Sequence, residues 1–166
     1  MSEMRYLLLL RHAKSSWDDP ALADHDRPLA PRGHKAAKLI GAHLRREQIR
    51  SSLVLCSSAR RARETLELVS PSGETQIEDE LYGASADELL GRLRQVPDGV
   101  DSAMVIGHNP AIQDLAVGLV EDSAELATRK FPTGALATLT FTGDWRELDF
   151  GRAQLGAFIT PRELVG

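Results

Sequence analysis

Three segments of the chain could do chemistry together: Arg11-His12, Ser57-Ser58-Ala59-Arg60-Arg61 and Gly107-His108-Asn109-Pro110. Each follows directly on a short apolar run. Arginine meets a phosphate with two parallel N–H donors. A histidine beside a bound phosphate can act as nucleophile and accept the phosphoryl group, which splits a hydrolysis into two transfers. Taken singly, each segment is weak. An Arg-His pair is common, Arg60, Arg61 and Arg63 read as a solvated helix face, and His108 reads as a core or loop histidine. The shared position after an apolar run is what gives the set its weight.

The elements that must position these groups follow from patterning. Tyr6 and four consecutive leucines read as a strand, Tyr6–Leu10, buried on both faces as in a parallel sheet. Further strands are expected at Leu53–Cys56, Ala103–Ile106 and Ala135–Phe141, with a turn at Gly143-Asp144 leading into another at Trp145–Phe150. Helices are expected at Pro31–Glu47, Ala59–Val69, Ala86–Gln95 and Pro110–Val120. Alternating strands and helices predict an α/β fold, a single-domain three-layer sandwich over residues 1–166 with a mostly parallel sheet. The last two strands are expected to be antiparallel. Ligands of open α/β sheets bind beyond the carboxyl ends of the strands. All three segments would therefore meet in one crevice. Ser57 or Ser58 is the expected N-cap of the second helix, and Asn109 with Pro110 the expected start of the fourth. The free N–H groups and dipole of a helix N-terminus favour an anion as well.

Composition narrows the classes. The hydrophobic content of 42% and charged content of 27% are those of a globular protein with a real core. A net charge of −4 argues against a general nucleic-acid binder or a basic membrane-surface protein. No apolar run reaches the roughly 20 residues of a membrane span. Met1-Ser2-Glu3-Met4 leads straight into the first strand, so no signal peptide is expected, and the single cysteine, Cys56, suits a cytoplasmic location.

With these residues in view, the chain resembles the histidine phosphatase superfamily, the phosphoglycerate mutase-like fold, and within it the short SixA-type phosphohistidine phosphatases. Arg11-His12-Ala13-Lys14-Ser15-Ser16-Trp17-Asp18 resembles the Arg-His-Gly signature and its continuation. Arg27-Pro28-Leu29-Ala30-Pro31-Arg32-Gly33 resembles the Leu-Thr-x-x-Gly segment. Ser57 to Thr65 resembles Ser-Pro-x-x-Arg-Ala-x-x-Thr, and Gly107-His108-Asn109-Pro110 resembles the second-histidine segment. The resemblance implies His12 as the phosphate-accepting nucleophile, with Arg11, Arg61 and His108 clamping the phosphoryl group. It implies Glu80 as a general acid, against the alternative of a surface carboxylate in an acidic run. Lys14, Ser15 and Arg27 are candidate substrate-binding residues. Three positions depart from the pattern: Ala13 replaces the glycine, Ala30 replaces the threonine, and Asp18 replaces a phosphate-binding asparagine. Asp18 is not given that role, because a carboxylate repels phosphate.

The stretch Ala62–Gly107 is too short for the lid insertions of larger relatives, which predicts an open site. The expected substrate is phosphohistidine in a protein, whose P–N bond is labile once protonated. The alternatives are a small phosphorylated metabolite or nucleotide, or a non-catalytic phosphate-binding module. No cofactor is expected. A Cys-x5-Arg phosphatase loop starting at Cys56 fails, since position 62 is alanine and the loop lacks glycines. A metal site is not expected either, for want of His-x-His or paired-carboxylate spacing near the strand ends.

Overall fold

The computed structural model describes residues 3–165; Met1 and Ser2, which open the lead-in segment, lie outside them. Strand β1 (Met4–Arg11) is followed by helix α1 (Pro31–Arg46), β2 (Leu53–Ser57) and α2 (Arg60–Val69). Then come β3 (Glu74–Glu78), α3 (Ala86–Leu93), β4 (Ser102–Gly107) and α4 (Ala111–Leu119). The short α5 (Ala124–Thr128), β5 (Leu136–Thr142), β6 (Gln154–Ile159) and the short α6 (Pro161–Leu164) complete the chain. The six strands form one sheet in the order β3-β2-β4-β1-β5-β6. The first four in that order are mutually parallel, and β5 runs antiparallel to both β1 and β6.

The leucine run explains itself in this frame. Leu7 and Leu9 enter one core with Leu89, Leu93, Ile112 and Leu115 from α3 and α4. Leu8 and Leu10 enter the other with Ile40 and Leu44 from α1 and Val69 from α2. The same alternation holds on β2 and β4, because Leu7 pairs with Ala103 and Leu8 with Met104. A strand between two helix layers needs apolar residues at every position. Burying each leucine is worth roughly 1.5–3 kcal/mol, so β1 is a principal anchor of both cores.

The structure corrects three expectations. Trp145–Phe150 is not a strand. Trp145–Glu147 forms a 3-10 turn after Gly143, whose φ of 103° is the left-handed region. The Trp145 indole N–H donates to the Val100 carbonyl at 2.7 Å, and the ring packs edge-on against Phe141. The apolar residues there fill the core from a turn rather than alternating along a ladder. The antiparallel partner of β5 is instead β6, whose residues are mostly exposed and include Gly156, so it lacks a hydrophobic signature. Edge strand β3 is polar for the same reason, with β2 as its ladder partner. Finally, the helix starts fall one or two residues beyond the expected caps, although the Asn109 Oδ1 still accepts from the Gln113 N–H in the first turn of α4 at 3.3 Å. Ala59 and Pro110 occupy the N-cap positions of α2 and α4 without side-chain capping bonds.

Candidate active site

His12 and His108 each stand one residue past the end of adjacent parallel strands. Arg11 and Gly107 are register partners, and the His12 N–H extends the ladder by donating to the Gly107 carbonyl at 3.0 Å. The two rings are consequently 5.1 Å apart, centroid to centroid. Neighbouring β2 ends in Ser57, whose Oγ lies 2.7 Å from His108 Nε2. The first turn of α2 brings in Arg61, which is 8% exposed. Thr65 locks that helix to the segment that carries His12. Its Oγ1 accepts from the Ala13 N–H at 3.0 Å and donates to the Arg61 carbonyl at 2.7 Å.

The His12 ring has a defined tautomer. Nδ1 is 2.7 Å from the Ala13 carbonyl, which can only accept, so Nδ1 carries the proton and Nε2 the lone pair. Burial, together with the positive Arg61 and Arg11 and the neighbouring His108, pushes the His12 pKa down to about 3, against the pull of the Ala13 carbonyl. His108 is lowered to about 4, chiefly by burial and then by Arg61, with Asp24 acting the other way. Both rings are therefore neutral near pH 7, beside the cationic guanidinium groups of Arg11 and Arg61. Arg11 donates from one terminal nitrogen to the Phe131 carbonyl at 2.9 Å; its buried Nε has no partner among the described residues. Such a site suits an oxyanion, held by guanidinium groups next to a neutral imidazole nucleophile.

Asp24 completes the enclosure. Its carboxylate accepts from Arg61 at 3.0 Å, from Arg27 at 2.9 Å and from the Tyr82 hydroxyl at 2.6 Å. Those contacts, led by Tyr82, hold its pKa below the usual carboxylate range. Tyr82 also packs edge-on against His108 and His25, and His25 Nε2 lies 2.9 Å from Ser58 Oγ.

Of the residues singled out in the sequence, Arg11, His12, Arg61 and His108 are gathered here. Glu80 is exposed and lines a groove with Glu78, Glu88 and Arg92, without a hydrogen bond to either histidine. Arg27 is buried and fully engaged. Besides Asp24, it donates to Ser15 Oγ and, at 3.1 Å, to the Ser16 carbonyl, while Trp17 stacks 3.2 Å from its guanidinium carbon. Ser15 and Arg27 thus brace the loop between β1 and α1. Lys14 lines a neighbouring cavity. Gly33 brings α1 against this loop, since a Cβ there would collide with the Lys14 carbonyl. Cys56 lies in the core facing α1 and α2, and burial pushes its thiol up to about 12. Among the described residues, no three His, Cys, Asp or Glu side chains are grouped as metal ligands.

Sequence reasoning missed Asp24, Ser57 as a histidine partner, Tyr82 and His25. Tyr82 had a signal, since it ends the same Glu-Asp-Glu-Leu-Tyr segment as Glu80. Asp24 and His25 had none, because they sit in a loop whose path only the tertiary structure reveals.

The chain has relatives among known proteins, in sequence and in fold. The model of the histidine phosphatase superfamily (branch 1) matches residues 7–129. An uncharacterised Mycobacterium tuberculosis protein is 40% identical over 159 residues, covering 92% of this chain and 100% of that one. The structure of a Nakamurella multipartitia protein, provisionally assigned as the phosphohistidine phosphatase SixA, superposes with a TM-score of 0.87 at 35% identity, covering 96% and 97% of the two chains. The protein histidine phosphatase SixA complexed with tungstate superposes with a TM-score of 0.81 at 25% identity, covering 96% and 99%.

Proposed function

This chain belongs to the histidine phosphatase superfamily, and we propose that it hydrolyses phosphohistidine carried by a protein, through a phosphohistidine intermediate on His12. The observation that carries the mechanism is the His12 Nδ1–H to Ala13 carbonyl bond at 2.7 Å, which leaves Nε2 free as the nucleophile. In the first step Nε2 forms a bond to phosphorus while the P–N bond of the substrate breaks. The substrate imidazole leaves neutral, its other nitrogen having been protonated beforehand. Nδ1 of His12 keeps its proton throughout, so the enzyme-bound intermediate is a phosphoimidazolium, itself a good leaving group. Water then attacks phosphorus as the P–Nε2 bond breaks and its electron pair returns to Nε2; both water protons leave with the product as dihydrogen phosphate, and neutral His12 returns. Arg11 and Arg61 offset the charge on the transferred oxygens, which is the largest contribution a protein makes to such transfers. His108, its ring 5.1 Å from that of His12, donates a hydrogen bond to them.

The substrate assignment rests on proton supply. Asp24 is held ionised by Tyr82, Arg27 and Arg61 and is a poor acid. Glu80 stands in the groove beside Arg92. An alkoxide leaving group needs an acid in place, whereas a protonated phosphohistidine does not. The names of the two SixA-type neighbours point the same way. The test compares kcat/KM for a phosphohistidine peptide and for an alkyl phosphate such as β-glycerophosphate, whose leaving alkoxide does need an acid. The phosphohistidine peptide is expected to be turned over about a hundredfold more efficiently. Far faster release from the small ester would overturn this reading in favour of a small-metabolite phosphohydrolase.

A further inference from the structure

Beside the catalytic crevice lies a second concavity, of about 560 Å³, lined by Lys14, Arg32, Arg129, Lys130 and Arg162. These five cations come from separate parts of the chain. Lys14 follows β1, Arg32 opens α1, Arg129 and Lys130 precede β5, and Arg162 follows β6. Because β5 runs against β1 and β6 against β5, all of these positions fall on the sheet edge that carries His12. The cavity adjoins the crevice directly. Lys14 is two residues from His12, and the Phe131 carbonyl, next to Lys130, holds Arg11 at 2.9 Å. Among the described residues no carboxylate lines the concavity, in a chain whose acidic residues outnumber basic ones by 24 to 20. The only ion pair that any of the five makes, among the described residues, is the long Arg129–Glu163 contact at 4.0 Å. Like charges gathered without partners beside an active site indicate a complementary surface on what enters it.

We propose that this concavity docks an acidic segment flanking the phosphohistidine of the protein substrate, an inference that rests on the function proposed above. The cations are exposed and spread over several elements rather than converging as a fixed fork. Only Arg129 is braced, its guanidinium carbon 4.5 Å from the Phe158 ring centroid. Several dispersed, flexible cations match several carboxylates along a chain better than they match one compact anion. The arrangement selects substrates by approach and KM, leaving the transfer itself to His12, Arg11 and Arg61.

Two phosphohistidine peptides of equal length test this, one flanked by glutamates and one by serines. The wild-type protein is expected to show a KM about tenfold lower for the glutamate peptide at low salt, with the gap closing at high salt. The double variant Lys130→Glu/Arg162→Glu should raise the glutamate-peptide KM to the serine-peptide value and leave serine-peptide turnover unchanged. The milder Arg162→Gln should give a partial shift in the same direction. Equal KM values in the wild type, or equal slowing of both peptides by charge reversal, would overturn the proposal. If neither peptide is hydrolysed while p-nitrophenyl phosphate is, the phosphohistidine reading fails by itself. Fluorescence anisotropy of the unphosphorylated glutamate peptide then decides the docking surface: saturable binding lost in the double variant supports it, and no binding overturns it.

Discussion

The Asp24 carboxylate lies 3.0 Å from the guanidinium of Arg61, and the Asp24 carbonyl accepts a second bond from the same group at 2.8 Å. Arg61 is thus aimed from both ends of one residue while a carboxylate stands in the field that an incoming phosphate will feel. Asp24→Asn keeps the backbone acceptor and the shape but removes the charge. Inorganic phosphate is therefore expected to inhibit the variant at severalfold lower concentration, because one nearby repulsion is gone. Turnover should fall about tenfold as Arg61 loses part of its orientation. Steady-state kinetics with phosphate as inhibitor measures both. Weaker phosphate inhibition would show that Asp24 aids the anion instead of competing with it.

The two lowered histidines make stability depend on pH in a definite direction. An unfolded histidine titrates near roughly 6.5, whereas His12 and His108 stay neutral down to about 3 and about 4. Below roughly pH 6.5 the unfolded chain therefore binds protons that the native protein refuses, and stability falls as pH falls, by up to about 1.4 kcal/mol per pH unit for each histidine. Asp24 acts lower down: its depressed pKa contributes stability that is lost only as pH drops below about 4. Denaturant unfolding of the wild type and of His12→Asn/His108→Asn across this range checks the assignment. The variant should show a visibly flatter decline between about pH 6.5 and pH 5.

Cys56 marks the boundary between site and core. Its thiol faces the packing of α1 and α2, and burial raises its pKa to about 12. Cys56→Ala should keep phosphatase activity within about twofold and lower stability by roughly 1–2 kcal/mol. Iodoacetamide should leave the native thiol unmodified. Alkylation of the folded protein with loss of activity would put Cys56 in the site.

How far the sequence revealed all this depended on whether burial wrote itself into residue type. Leu7 to Leu10 had to satisfy two helix layers, so β1 was legible, and with it the positions of Arg11 and His12. Matched register between β1 and β4 then made His108 a neighbour of His12, as the strand-end argument expected. Edge strands carry no such mark: Glu74–Glu78 and Gln154–Ile159 each lean on the sheet through a single ladder and tolerate polar residues. Trp145 imitated a strand because a large apolar residue near a turn signals burial without saying which backbone delivers it. In the site itself, Arg27 was noticed as a possible ligand, yet its donors are spent on Asp24, Ser15 and Ser16. Contacts spanning 37 residues, such as Asp24 to Arg61, leave no local pattern to read.

Whether His12 carries the phosphoryl group is decided by rapid quench during turnover of a radiolabelled phosphohistidine peptide, followed by mapping of the label. The expected outcome is an acid-labile, base-stable phosphoryl adduct on His12 that forms and decays within the catalytic cycle. It should be missing in His12→Ala, whose turnover is abolished. Full turnover by His12→Ala, or a label that maps to another residue, would contradict the role given to His12.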